Sequence, residues 1–338
     1  MMKDNKYVIY WLLAGCLLIF TMVVVGGITR LTHSGLSMSD YNLITGTIPP
    51  LNETEWEEAF ELYKQYPEFQ KLNYNFTIED FKSIYFWEWF HRVLGRVIGL
   101  VFIIPFIYFL IRKQLSRPTI YKALILLAMG GFQGFLGWYM VKSGLVDRPD
   151  VSHYRLAAHL STAFLTCAYT LWVALDLLFP KKKEAVLKMR KIIRWSFALL
   201  FIQIVYGAFV AGLDAGFLHN HWPMMSEGQF MHDTVYSEQS PLWKNFIEGK
   251  SGVQFMHRSL AYLVVISIVI IWRKSKQISL SRYQKMGVNS LLILVALQFV
   301  LGVLTILMQV PVWLGVAHQL GAFLLLMSMT FTMHRFSK

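Results

Sequence analysis

The stretch YVIYWLLAGCLLIFTMVVV, residues 7–25, contains no charged side chain. A helix needs about 20 mostly apolar residues to cross a hydrocarbon core about 30 Å thick, and this stretch meets that requirement. Further apolar runs of similar length begin near Glu88, Tyr121, Arg155, Ile192, Gln254, Met286 and Val312. The sequence therefore predicts an all-α integral membrane protein with eight transmembrane helices.

The composition of the chain argues against a soluble domain. The 338 residues are 55% hydrophobic and 15% charged, and the mean hydropathy is +0.45. A net charge of +12 could indicate nucleic-acid binding, but the basic residues are concentrated in alternate loops. The positive-inside rule then places these loops and both termini in the cytoplasm, so we expect a lipid bilayer and no nucleic acid as partner. The absence of an Arg- and Ser-rich presequence favours a bacterial plasma membrane.

Three motifs recur in the same order and indicate an internal duplication. They are His91-Arg92-Val93-Leu94 with His257-Arg258-Ser259-Leu260, the spacing of Gln133, Leu136 and Gly137 with that of Gln298, Leu301 and Gly302, and Ala158-His159 with Ala317-His318. The first and fifth spans agree more weakly, through Gly26 and Gly35 with Gly207 and Gly216. We expect two parallel four-helix-bundle repeats, residues 1–180 and 181–338, with the loop Lys181–Arg194 at the boundary.

Two longer outer connections and two cysteines complete the outline. The first connection contains Thr54-Glu55-Trp56-Glu57 and Thr77-Ile78-Glu79-Asp80, which resemble capping boxes and predict short surface helices. The tract around Asn73 is predicted as loop. Cys16 and Cys167 lie in different spans, and each is expected to be too far from any partner for a disulfide or a metal pair.

Four histidines are the residues most suited to chemistry. His91, His159, His257 and His318 are all predicted within about two turns of the outer ends of their helices, so the two in each half share one depth. A histidine inside a membrane usually has a partner or a function. Facing imidazoles at one depth can ligate a porphyrin iron from both sides, whereas a single histidine would more often form a hydrogen bond to a neighbouring span.

One difference separates the two histidine sites. Glu88 lies three residues before His91, on the same helix face, whereas the matching position before His257 is Gln254. A carboxylate can act as a base or position water, and an amide cannot titrate. We therefore assign the chemistry to the N-terminal site and a resident cofactor to the C-terminal site. Arg92 and Arg258 could pair with porphyrin propionates or extend toward lipid headgroups.

The motifs resemble those of the heme A synthase family of the CtaA type, in particular its branch with a long first outer loop. The resemblance covers nearly the whole chain. It rests on residues 26–37, which include Gly26-Gly27-Ile28-Thr29-Arg30, on Phe86-Trp87-Glu88-Trp89-Phe90-His91-Arg92, on residues 133–145 beginning Gln133-Gly134-Phe135-Leu136-Gly137, and on the histidine motifs of the second half.

The resemblance implies oxidation of a methyl group of heme O to the formyl group of heme A, for terminal oxidase biogenesis. It implies that His257 and His318 ligate a resident heme b, that His91 and His159 flank the substrate heme, and that Glu88 lies near the reacting methyl. It also implies a heme O synthase as substrate donor. Some members carry a cysteine pair in the first outer loop, which this chain lacks.

The sequence is also compatible with other functions and features. A diheme b-type membrane cytochrome that relays electrons would keep two permanent hemes, and a transporter would need discontinuous helices near the midplane. His219, His221 and His232 lie among methionines in the second outer loop, a composition compatible with copper but without a ligand geometry. The small residues Gly130, Gly131, Gly134 and Gly137 predict a packing face, or a face that admits a flat ring. An electron acceptor of open identity is also expected as a partner, and the chain is compatible with a homo-oligomer.

Overall fold

The computed structural model describes residues 5–38, 45–142, 150–179 and 187–337. This part of the chain forms ten α-helices: α1 (Asn5–Leu31), α2 (Glu53–Tyr63), α3 (Pro67–Lys71), α4 (Ile78–Ile111), α5 (Arg117–Val141), α6 (His153–Leu178), α7 (Leu187–Gly212), α8 (Lys250–Ser275), α9 (Arg282–Leu307) and α10 (Val312–Arg335). All except α2 and α3 are long and apolar enough to cross a membrane, which gives eight candidate spans. The predicted all-α membrane fold is confirmed.

Side-chain caps determine where several of these helices begin. Ser116 accepts a hydrogen bond from the backbone N–H of Thr119 at the start of α5. Ser281 and Gln284 form a capping box at the start of α9, in which each side chain binds the other residue's backbone N–H. Such caps satisfy N–H groups that the first helical turn leaves without a partner.

The membrane helices pack as two rings of four. In the first ring α1 contacts α4, α4 contacts α5, α5 contacts α6, and α6 returns to α1; in the second, α7 to α10 contact one another in the same cyclic order. Contacts of α1 with α10, of α6 with α7 and of α6 with α10 join the rings. Part of the predicted boundary loop, residues 180–186, lies outside the described residues, so the division into residues 1–180 and 181–338 stays a prediction.

Large apolar side chains fill the junction between the two rings. Phe164 of α6 and Phe323 of α10 are both buried and meet edge to face, with ring centroids 5.1 Å apart. Phe20 of α1 packs against Phe323 at 5.8 Å. Close packing of this kind supplies the attraction between helices in a membrane, where lipid is as apolar as the side chains. The junction therefore holds the two histidine sites in a fixed relation.

The helix α4 begins earlier than the sequence suggested. The apolar run was expected to start near Glu88, with a separate surface helix after Thr77, but one continuous helix runs from Ile78 to Ile111. The capping box of Thr77 and Asp80 is present and begins this long helix. The prediction of a separate helix is wrong. Residues 78–87 are mostly polar or aromatic and so do not form part of an apolar run, but nothing in them ends the helix before the apolar run begins. His91 is consequently more than three turns from the start of α4.

The described part of the connection between α1 and α4 folds into a small cap on the N-terminal part of α4. The short surface helix α2 is confirmed, but its N-cap is Asn52, which accepts from the N–H of Glu55, and the expected cap at Thr54 is wrong. Phe60 and Tyr63 of α2 stack on Phe81 of α4, with ring centroids 5.2 and 5.1 Å apart. We call α2, α3 and the loop to Thr77 the outer cap. The loop around Asn73 is confirmed.

The two cysteines lie side by side, contrary to expectation. The Cys16 thiol approaches the carbonyl oxygen of Cys167 at 3.9 Å, and the Cys167 thiol approaches the carbonyl oxygen of Cys16 at the same distance. Both are free thiols. The expected separation of the two cysteines is wrong because the packing of α1 against α6 brings the two positions together, although no disulfide joins them.

Candidate functional site

Each of the four histidines lies against a glycine of a neighbouring helix. A β-carbon placed on Gly26 would lie 3.3 Å from Nε2 of His91, and one on Gly137 would lie 3.5 Å from Cε1 of His159. In the second half the matching distances are 3.1 Å from Gly207 to Cε1 of His257 and 2.8 Å from Gly302 to Cε1 of His318. Both halves therefore use the same design, in which two helices supply histidines and two supply glycines that make room for them.

The pair in the second half has the spacing of two axial ligands. The ring centroids of His257 and His318 are 6.4 Å apart, and the ring planes are nearly perpendicular at 85°. Two imidazoles bound to one metal through bonds of about 2.0 Å have their ring centres about 6 Å apart. Nδ1 of His257 and Oε1 of the nearby Gln203 are buried without hydrogen-bond partners among the described residues. The residues at this site fit a heme iron held between two histidines.

The first half repeats a glutamine–histidine contact that is also present in the second. His91 lies on α4 against Gly26, and His159 lies on α6 against Gly137. With its amide oriented to satisfy both polar atoms, Gln133 donates to Nδ1 and to the carbonyl of His159, both over 3.2 Å. Gln298 makes the same two contacts with His318, over 3.1 and 2.9 Å. The recurring glutamine therefore orients the histidine of the fourth helix in each half, a role that the sequence motif did not reveal.

Glu88 is held by three donors from two parts of the chain. Ser37 Oγ donates to Oε2 over 2.7 Å, and the backbone N–H of Met38 donates to the same oxygen over 2.8 Å. Arg92 Nη2 donates to Oε1 over 2.6 Å. Glu88 itself is only 3% exposed. A buried carboxylate requires partners of this kind, and here they fix its orientation one helical turn from His91.

The corresponding place in the second half has another chemistry. Gln254 is buried and donates from Nε2 to the carbonyl oxygen of His219 over 3.3 Å. Arg258 donates to the same carbonyl over 2.5 Å and to the carbonyls of His221 and Met224 over 2.9 and 3.1 Å. In the register set by Gly35 and Gly216, His219 corresponds to Met38, whose carbonyl accepts from Arg92 over 3.0 Å. In both halves the arginine therefore binds a matching backbone carbonyl, but only the first half has a carboxylate, Glu88, where the second has Gln254.

Both arginines are engaged within the protein. Arg92 binds Glu88 and the carbonyl of Met38, and Arg258 binds three carbonyls of the second outer loop. Their predicted pairing with propionates stays a prediction. The contacts that are present show that each arginine fastens an outer loop over the histidine next to it in sequence.

Most of the glycine face of α5 does not pack against another described helix, although a packing face was one of the two expectations for it. Gly137 lies against His159, but β-carbons on Gly130, Gly131 and Gly134 would meet no described atom within 4 Å. The corresponding positions of α9 carry Val295, Ala296 and Phe299. Val295 is buried in the core, and Phe299 packs on Tyr262 with ring centroids 5.5 Å apart. Space that side chains fill in the second half is therefore open in the first.

Two of the three histidines of the second outer loop, His219 and His232, form hydrogen bonds to hydroxyl groups. His219 Nε2 lies 2.9 Å from Ser251 Oγ, and His232 Nδ1 lies 2.7 Å from Thr234 Oγ1. Burial, and then the neighbouring His232 and Arg258, lower the pKa of His219. No cluster of three His, Cys, Asp or Glu ligands occurs in the described part of the chain. The His219 contact attaches the second outer loop to Ser251 at the start of α8, and Thr234, which His232 contacts, lies 2.7 Å from the same Ser251 hydroxyl.

Some residues of the site were not predicted from the sequence. Ser37 and the N–H of Met38 reach Glu88 across about 50 positions of chain. The motif Ser34-Gly35-Leu36-Ser37 indicated the family, but nothing in it indicated that Ser37 contacts Glu88. Gly26 and Gly207 occupy matching positions in the two halves. A glycine kept at the same place in both repeats indicates that another group approaches the backbone closely there, and this signal could have indicated the contacts with the histidines.

An eight-span helical membrane protein with two histidine pairs, one of them at the spacing of axial iron ligands, is a heme-handling membrane protein. The chain belongs to the COX15-CtaA family, described as cytochrome oxidase assembly protein, whose family model matches residues 9–330. It is 62% identical to the heme A synthase of Flavobacterium psychrophilum and 59% identical to that of Flavobacterium johnsoniae, over the full length of both chains in each case. It is 46% identical to the heme A synthase of Nitrosospira multiformis, over 95% of this chain and 91% of the relative.

Proposed function

We propose that this chain is a heme A synthase, an oxidoreductase that converts a methyl group of heme O to the formyl group of heme A by successive hydroxylations and loss of water. The observation that carries the proposal is the difference between two otherwise matched histidine sites. Glu88 is a carboxylate clamped beside His91, and its counterpart Gln254 cannot titrate. The full-length similarity to heme A synthases supports the same function.

His257 and His318 would hold a resident heme b. When bound, this heme would supply one-electron transfer, which no side chain of the site can perform alone. Gly207 and Gly302 leave room for the two imidazoles, and Gln298 sets the ring orientation of His318. Val295 and Phe299 fill the gap between α8 and α9, which suits a group that remains in place.

His91 and His159 would flank heme O as substrate, with Glu88 near the methyl group that reacts. Ser37, Met38 and Arg92 hold both carboxylate oxygens of Glu88 in fixed positions. In that orientation Glu88 can accept a proton from one hydroxyl of the doubly hydroxylated methyl group and return it to the other hydroxyl, which leaves as water and gives the formyl group. The open face at Gly130, Gly131 and Gly134 supports a first half that admits and releases a ligand.

The protein would lie in the bacterial plasma membrane with both termini in the cytoplasm. The basic residues support this orientation, since they cluster at the ends of spans opposite the histidines. A heme O synthase would deliver the substrate from the same membrane. The continuity of the described spans speaks against the transporter reading, which requires helices broken near the midplane.

The first test is to express the chain together with a heme O synthase in a host that makes no heme A, and to extract and chromatograph the hemes. We expect heme A from the native chain and none after His91→Ala or His159→Ala. Production of heme b and heme O alone by the native chain, with a bis-histidine spectrum from both sites, would instead identify a diheme electron-relay cytochrome.

The variant Glu88→Gln separates chemistry from heme binding. It keeps the shape of the side chain but removes the base, so we expect resident heme and substrate heme to be retained while heme A falls to background. The matched control is Gln254→Glu in the second half, which should leave heme A formation largely intact. Normal heme A output from Glu88→Gln would remove Glu88 from the mechanism.

A further inference from the structure

A basic cavity lies at the end of α7 that is remote from the histidines. Its described lining is Arg190, Lys191, Arg194, Trp195 and Ala198, and its volume is about 720 Å³. These positions share one face of the helix because they are spaced by about one turn. Gly207, which contacts His257, lies about 25 Å farther along α7 at about 1.5 Å per residue. The cavity is therefore separate from both histidine sites.

The three cations of this cavity have no acidic partner among the described residues. None of them forms an ion pair with a carboxylate in the described part of the chain, and Arg190 Nε is buried without a hydrogen-bond partner. Three basic side chains near this end of the spans differ from them, since Lys122 binds Asp176 over 2.6 Å and Lys276 and Arg335 lie over aromatic rings. Like charges one turn apart repel, so a bound anion would stabilise this end of α7.

The surface beside the cations is suited to an acyl chain. Trp195 is 69% exposed at the end of the span, a position in which tryptophan is typical of the boundary between lipid and water. Ala198 and Ile202 follow on the same face toward the middle of the helix, and both are exposed. The order along α7 is thus three cations, an interfacial indole and an apolar strip.

We propose that this cavity binds the phosphate headgroup of an anionic phospholipid, with an acyl chain along Ala198 and Ile202. Arg190 and Arg194 offer planar donor groups that match phosphate oxygens, and Lys191 adds a third positive charge. Basic pockets at the cytoplasmic ends of spans recognise such headgroups. Free inorganic phosphate has the same headgroup chemistry but lacks the chain, so a comparison of the two tests the apolar strip.

The test uses the full heme-loaded protein and measures the phospholipid retained after purification, by native mass spectrometry, in mixtures of phosphatidylglycerol and phosphatidylcholine. We expect the native chain to retain phosphatidylglycerol with a preference of roughly ten-fold, and to gain thermal stability from it. The double variant Arg190→Gln with Arg194→Gln should lose the preference. The control is the double variant Arg273→Gln with Lys274→Gln, which removes an equal charge from the end of α8, next to the beginning of α7. This control should keep the preference for phosphatidylglycerol.

Three results would overturn the proposal. The first is a native chain that shows no preference between the two lipids, which needs no variant. The second is an equal loss in the α7 and α8 variants, which would mean that surface charge alone attracts the lipid. The third is a stabilisation by inorganic phosphate equal to that by phosphatidylglycerol, which would identify an anion site without a lipid. Thermal unfolding of each variant in pure phosphatidylcholine checks that it is folded.

Discussion

Glu88 depends on a segment far from it in sequence. Its three donors come from Ser37, Met38 and Arg92, and two of these lie in the turn that follows α1. The backbone N–H of Met38 is available whatever side chain is present there, but the hydroxyl of Ser37 can be removed by substitution. Ser37 is therefore a positioning residue whose contribution can be measured separately.

Replacing Ser37 with alanine should lower heme A formation by roughly ten-fold. A hydrogen bond to a charged group contributes about 1.5 to 3 kcal/mol, and the lower value corresponds to about a ten-fold change in rate. The measurement is heme A formed per resident heme in membranes that also contain heme O. Ser37→Thr keeps a hydroxyl group and should recover part of the activity. A parallel loss of resident heme and of heme A would point to a folding defect instead.

Glu68 of the outer cap is a buried acid that should make the cap sensitive to pH. Tyr63 donates to Glu68 over 3.0 Å, and Asn73 donates to the Tyr63 hydroxyl over 2.8 Å. Burial raises the pKa of Glu68 to about 8, opposed by the Tyr63 hydrogen bond and reinforced by the charges of Glu88 and Asp150. The folded cap therefore favours the protonated acid, whereas the unfolded chain ionises near its ordinary pKa of 4.5.

The sign of the effect follows from these two values. Stability from the protonated acid is fully present below about pH 4.5 and declines as the pH rises to about 8, by at most about 1.4 kcal/mol per pH unit. Protease cleavage within the outer cap should therefore increase between about pH 6 and about pH 8.5. Glu68→Gln cannot ionise and should show a flatter pH response. An identical response in that variant would assign the pH dependence to another group.

At the level of helices, glycines control the approach of α7 and α9 to the histidines. A β-carbon on Gly302 would lie 2.8 Å from His318, closer than carbon atoms normally approach, whereas one on Gly130 would meet no described atom within 4 Å. Gly302→Ala should displace the His318 ring and reduce resident heme b. Gly130→Ala, the same chemical change in another membrane helix, should leave it unchanged.

The absorbance spectrum of the reduced protein, normalised to protein concentration, measures this difference. Alanine favours a helix over glycine by about 1 kcal/mol, so loss of heme from Gly302→Ala would not reflect weaker helix formation. Equal heme content in the two variants would mean that the His318 ring has room to move, and that the glycine is not needed for ligation.

The sequence predicted elements of this fold better than contacts between them. Uninterrupted apolar runs predict spans directly, and the duplication placed four histidines in two matched pairs. The start of α4 was missed because residues 78–87 lack an apolar run, although they continue the helix. The adjacency of Cys16 and Cys167 was missed because no periodicity in one sequence encodes which helices are neighbours. The clamp on Glu88 was missed for the same reason.

For the whole molecule, the two halves should differ in how firmly they hold heme. We expect about one heme per chain when the protein is purified from cells without a heme O synthase, because only the second half would retain its heme. Co-expression with the synthase should raise the ratio toward two. Heme extraction with quantitative protein analysis measures the ratio. Two tightly bound b-type hemes in both preparations would support the electron-relay cytochrome.

The length of α4 has a mechanical consequence. Its 34 residues extend about 51 Å at about 1.5 Å each, so about 20 Å projects beyond a hydrocarbon core of about 30 Å. One rigid rod therefore joins the outer cap, through Phe81, to Glu88 and His91. A protein or antibody fragment that binds only the outer cap from the water phase would tilt this helix. The tilt would change the position of the Glu88 carboxylate, although the bound protein does not enter the membrane.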